Sequence, residues 1–212
     1  DTVDEIETLV SAADTALAKI EAYNNGDGTT PAPLIIQDYL DAGISGVTSD
    51  NLIAVNAQVL AAMPAQTDSA IEIQAKVAAA DAAIDKIEAY NNGDGSTPAA
   101  LTAQDYSDIG ITGISADNLA AVNAQVLAAS IGEANSVAEI QSKVTDANTA
   151  IAKVEAYNNG DGSSPAPLVL ADYVAVGVTG VSADNLAAVN AQVLAANPGE
   201  TNSVAEIQAL VT

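Results

Sequence analysis

The sequence predicts an all-α protein: tandem three-helix bundles of about 67 residues each, arranged in series. Three observations carry this. The string EAYNNGDG recurs at Glu21, Glu88 and Glu155, and the residues around it repeat at the same interval. Within each copy, apolar residues fall at helical spacing behind capping signals, with no period-2 alternation long enough for a sheet. Alanine, the strongest helix former, fills the remaining positions of these segments.

The middle copy shows the elements in order. Ser69 is followed three residues later by Glu72, a capping box in which each side chain satisfies the other's free backbone N–H. Ser136 with Glu139, Ser203 with Glu206 and Thr2 with Glu5 repeat it. Ile73, Val77, Ala80, Ile84 and Ile87 then mark one face of a long helix, which Asn91, Asn92 and Gly93 stop after Tyr90. At ~1.5 Å per residue such a helix is roughly 30 Å long. After the Gly-Asp-Gly turn and Pro98, a short helix fits 102–109, closed by Gly110. A third helix starts behind Ser115, whose hydroxyl can cap it, shows Leu119, Val122 and Val126 on one face, and fades near Ala129.

Cut this way, the repeats are 1–68, 69–135 and 136–202, with 203–212 opening a fourth. The copies meet in the polar segments 64–68, 131–135 and 198–202, which serve as hinges or as tight connections. A permuted cut, from loop through third helix to the following long helix, suits the terminal half-copy better. One copy has too few large apolar side chains to offset its own ordering entropy, so docking between neighbouring repeats of the same chain is expected. Asp1 in place of an initiator Met, and the fourth copy broken off, read as an excerpt of a longer protein.

Composition excludes several function classes. The net charge is −23, from 28 acids against 5 lysines and no arginine. The acidity belongs to the repeat: 2–68 holds ten acids and one lysine, 69–135 nine and two, 136–202 seven and two. Such a field repels nucleic acid and anionic membranes and favours divalent cations. The apolar stretches are too short for direct membrane insertion. Without Cys or His a nucleophile lacks its usual base, and GDGTT lacks the lysine of a phosphate loop, so no enzymatic activity is expected.

The NNGDG loop is the best candidate for chemistry. Asn25 and Asp27, with Asn92 and Asp94, and Asn159 and Asp161, set oxygen ligands beside glycines that let carbonyls turn inward, as calcium requires. The spacing is not that of an EF-hand: with Asp27 and Gly28 at loop positions 5 and 6, Tyr23 falls at 1 and Leu34 at 12. The competing reading is a helix C-cap and turn. Asp38, Asp105 and Asp172, each before a tyrosine of the short helix, either join that loop through a calcium ion or meet Lys19, Lys86 and Lys153. Those lysines are the cations present in every copy. Asn56, Asn123 and Asn190 are expected to satisfy loop carbonyls such as those of the ITG turn. The six tyrosines should pack near the loop with their hydroxyls at the surface.

The segment IEAYNNGDGTTPAPLIIQDYLDAGISGVTSDNLIAVNAQV and its two siblings resemble the tandem repeats of very large bacterial surface proteins, including RTX-type and biofilm-associated adhesins. That resemblance implies secretion to the extracellular face of a bacterial cell and a stalk, or extender, role that spaces a distal adhesive domain from the cell. Many such extenders are calcium-stabilised β-sandwiches. This chain departs from them in reading as helical, so their calcium sites do not carry over to named positions. The expected state is a monomer. The alternative is a multivalent module that binds protein or glycan, with or without calcium, and gains avidity from repetition.

Overall fold

The computed structural model describes residues 2–24, 32–63, 65–91, 99–158, 166–197 and 199–211. Among these residues the chain is all-helical, with ten helices and no strand. They come in the same order three times. A long helix (α1 Val3–Tyr23, α4 Ala70–Tyr90, α7 Val137–Tyr157) is followed by a short one (α2 Ile36–Asp41, α5 Ala103–Ser107, α8 Leu170–Ala175). A third of intermediate length closes the copy (α3 Leu52–Ala61, α6 Leu119–Ala128, α9 Leu186–Ala195), and α10, Val204–Ala209, ends the chain.

Local sequence explains these bounds. Thr2 and Glu5 close a full capping box on α1, as Ser203 and Glu206 do on α10. Ser69 and Glu72 pair at 2.7 Å before α4. The expected helical face of α4 is the buried one: Ile73, Val77, Ala80, Ile84 and Ile87 all lie in the core. The short helix α5 is trimmed at both ends relative to 102–109. It closes at Gly110, where φ is +78°, and the Ile111 N–H returns to the Tyr106 carbonyl at 3.0 Å. The third helix starts later than expected. Ser115 does not cap α6; its N–H donates to Asn118 Oδ1 at 2.8 Å, and Asn118 stands at the N-cap.

Two compact units emerge, and neither follows a copy. The first comprises Asp1–Lys86, Gln104–Ile111 and Asn135–Val137. In it α1 packs on α2 and α3. The N-terminal half of α4 lies on the corner between α2 and α3: Gln74 exchanges hydrogen bonds with the Ser45 backbone, and Asp81 accepts from Asn51 Nδ2 at 2.7 Å. The turn after α5 closes on α3, with Gln58 donating to the Asp108 carbonyl at 2.6 Å. There a Cβ on Gly110 would stand 3.1 Å from that of Ala57. The Val137 N–H donates to the Asp50 carbonyl at 3.4 Å.

The second unit comprises Ile87–Ala103, Thr112–Ala134 and Ala138–Thr212. It repeats these bonds 67 residues further on. Gln141 pairs with the Thr112 backbone, Asn118 with Asn148, Gln125 with the Ala175 carbonyl, and the Val204 N–H with the Asp117 carbonyl. Beside two of the segments between copies, the end of a long helix is tied to the far side of the connection. Asn24 Nδ2 donates to the Met63 carbonyl and Thr67 Oγ1, and Asn158 Nδ2 likewise to the Asn197 carbonyl and Thr201 Oγ1.

Candidate functional site

Asp38 sits at the third position of α2, and its two oxygens divide the work. Oδ2 accepts the free N–H of Ile35 at 2.9 Å, and Oδ1 takes Lys19 Nζ of α1 at 2.5 Å. The carboxylate half of a capping box needs just the N-cap backbone, which is why the aspartate works behind Ile35 or Val169 without a hydroxyl there. Asp172 repeats both contacts with Val169 and Lys153, and Asp105 pairs with Lys86. Of the two partners expected for Asp38, Asp105 and Asp172, the structure thus brings up the lysines. Each lysine side chain is 58–60% exposed, so the ion pair itself is worth no more than ~1 kcal/mol.

Burial works to raise the pKa of Asp38. The Ile35 amide, and then the hydrogen bond and charge of Lys19, outweigh it and hold the carboxyl below its usual range. At Asp172 burial is opposed first by Lys153 and then by the Val169 amide, with the same net lowering. Both carboxylates are ionised at neutral pH.

Behind each aspartate lies a buried tyrosine. Tyr39 is fully buried and its hydroxyl donates to Asn56 Oδ1 at 2.6 Å, while Asn56 Nδ2 donates to the Leu34 carbonyl at 2.9 Å. Tyr173, Asn190 and Leu168 form the same relay, and Asn123 donates to the Leu101 carbonyl. Two expectations are corrected here. The hydroxyls of these tyrosines lie inside, because the asparagine gives them a buried acceptor. The asparagines satisfy the strand of chain entering the short helix and not the ITG turn. Burial, then Tyr157 and Asp172, push the Tyr173 phenol up to about 12; Tyr39 moves in the same direction through burial, Tyr23 and Asp38.

The ITG turn is held by a residue the sequence reading passed over. Asn51 Nδ2 donates to the Gly46 carbonyl at 2.9 Å and its Oδ1 accepts the Thr48 N–H at 2.8 Å. Asn118 and Asn185 do the same for Gly113 and Gly180. The available signal is Thr or Ser followed three residues later by Asn in every copy, the spacing at which a side-chain oxygen reaches back to a backbone N–H as in a capping box.

The calcium positions Asn25, Asp27, Asn92, Asp94, Asn159 and Asp161 fall outside the described residues. At the edge of that loop, Asn158 Oδ1 is buried without a hydrogen-bond partner, an acceptor that a cation or a water would satisfy. Among the described residues no three acidic, His or Cys side chains cluster closely enough to hold a metal ion. No helix among them is long and apolar enough to cross a membrane. Among the described residues, the shared lysine and aspartate bind each other, and the shared asparagines of the corner and third helix bind backbone. The arrangement can position helices. In comparisons with known proteins, no family model, curated protein or solved structure matches this chain.

Proposed function

We propose that this chain is a structural extender: tandem three-helix bundles in series that set a distance between whatever lies at their two ends. One observation carries the reading. The shared lysine, the aspartate before the second tyrosine, and the asparagines of the long-helix end, the corner and the third helix are engaged within the protein. Much of the chemistry shared by the copies is thus spent on holding helices together, as an extender needs, while Glu21, Glu88 and Glu155 are shared and exposed. The resemblance of the repeats to those of bacterial surface adhesins supports a spacer that acts outside the cell and holds an adhesive domain away from it.

The alternative, a multivalent protein- or glycan-binding module, drew support from the third helices of copies two and three, identical even at outward positions. Copy-to-copy packing accounts for that identity. Ala120 and Ala124 lie under Gly177 of the next copy, and Gln125 holds the Ala175 carbonyl. The extender reading is tested by small-angle X-ray scattering of this chain beside one with twice the number of copies. An extender should roughly double its maximum dimension, since a linear array adds length copy by copy. Growth near the cube root of mass would refute it.

A further inference from the structure

Proteases of the trypsin and chymotrypsin types seat the side chain before the scissile bond in a specificity pocket. The first type takes lysine or arginine there, the second tyrosine, phenylalanine or tryptophan. Both attack segments between helices first, because a helix has to unwind before it fits the cleft. The chain has five lysines, six tyrosines, and no Arg, Phe or Trp. All of the lysines and tyrosines lie in helices: Lys19 and Tyr23 in α1, Tyr39 in α2, Lys76, Lys86 and Tyr90 in α4, Tyr106 in α5, Lys143, Lys153 and Tyr157 in α7, and Tyr173 in α8. The sequence between the helices therefore contains no residue that either enzyme type reads.

Within the helices the same residues are withdrawn a second time. The residue after each lysine is a core aliphatic: Ile20, Val77, Ile87, Val144 and Val154 are 0–2% exposed. A cut after lysine thus requires an unwound helix and a side chain drawn out of the core. Lys19, Lys86 and Lys153 are held as well by Asp38, Asp105 and Asp172. The tyrosines are themselves inside, all six being 0–8% exposed, and the hydroxyls of Tyr39 and Tyr173 are fixed by Asn56 and Asn190. Tyr23, Tyr90 and Tyr157 end their helices, where fraying would open a bond first. There the following residue, Asn24, Asn91 or Asn158, is buried and donates to the carbonyl of Met63, Ser130 or Asn197.

We infer that the folded chain is closed to proteases of both specificities, and that the placement of its lysines and tyrosines closes it. Cleavage at these residues has to wait for the helices to open, so its rate follows the population of the open form. The pattern recurs in each copy, so added copies bring no weaker site. This property goes beyond spacing two ends and holds whatever the chain spaces; the scattering test of the extender leaves it untouched.

The full chain is incubated with trypsin and with chymotrypsin over a range of urea concentrations below the unfolding midpoint, and initial cuts after lysine and tyrosine are mapped and timed by mass spectrometry. Both rates should be negligible without urea and rise with the slope of equilibrium unfolding. Ile131 lies between α6 and α7 and is 76% exposed. In Ile131→Lys, trypsin without urea should cut after residue 131 more than about tenfold faster than after any native lysine of the same molecule. Rapid, urea-independent cutting at a native lysine or tyrosine would overturn the inference. So would an Ile131→Lys chain that resists at residue 131 as it does elsewhere, because resistance would then belong to the fold in general and not to where these residues stand.

Discussion

At Asp38 burial and hydrogen bonding pull in opposite directions, and hydrogen bonding with the nearby lysine prevails, leaving the folded-state pKa lowered there and at Asp172. A carboxyl lowered in the folded state contributes stability that is present above its unfolded value, ~3.9 for aspartate, and is lost as pH falls through the folded value. Urea unfolding should therefore show a midpoint that is level from neutral pH to about 5 and declines below about 4. Replacing Asp38 and Asp172 together by Asn should cost about 1–2 kcal/mol in total at neutral pH and flatten that decline. An equally steep decline in the variant would assign the acid sensitivity to other carboxylates. The lysine partners were legible in the sequence as one of two options. Choosing between them required knowing that α2 folds back beside the end of α1, a tertiary fact that no local pattern encodes.

Among the elements, the three connections between copies differ at one backbone position. Gly132 and Gly199 take φ values of +87° and +89°, and the equivalent residue of the first connection is Ala65, at +72°. An L residue there bears a steric cost that glycine avoids. Ala65→Gly should raise stability by about 0.5–1 kcal/mol in thermal or urea unfolding, part of the gain being offset by the freer unfolded chain. No change, or a loss, would show that this connection relaxes around the alanine. The long helices were readable almost to the residue, because a capping box at one end and Asn-Asn-Gly at the other bracket an unbroken helical face. The start of the third helix was not. Ser115 and Asn118 are both good cap residues, and the hydrogen bonds of the corner, not propensity, decide that the serine begins a turn and the helix waits for Leu119.

For the molecule as a whole, position in the array governs what a residue is worth. Ile6 and Ile73 occupy the same place in the repeat and are chemically identical, yet the corner formed by Ser45, Gly46 and Asn51 covers just the second. Ile73→Ala should cost roughly 2–5 kcal/mol, the usual range for emptying a buried site. Ile6→Ala should stay within about 0.5 kcal/mol, as exposed substitutions do. Denaturant titration of both variants checks the contrast, and equal losses would mean that the α1 face is covered in solution. The sequence pattern marks an apolar face on every long helix but carries no label for its partner. For that reason the sequence alone leaves the boundary of the repeat ambiguous.

The backbone bonds from Val137 to Asp50 and from Val204 to Asp117 bear on what happens when the protein is pulled. The first joins the head of the long helix α7, and the second the head of α10, to a corner that is not in the copy next to it but in the one before that. In an array whose units touch just their immediate neighbours, a stretched chain can release one copy at a time. Here the copy under tension is fastened on both sides and tied once more past its neighbour, so opening it loosens contacts that its neighbours also need. Force should therefore be held to a higher load and then released in extensions longer than the ~220 Å that about 67 extended residues provide.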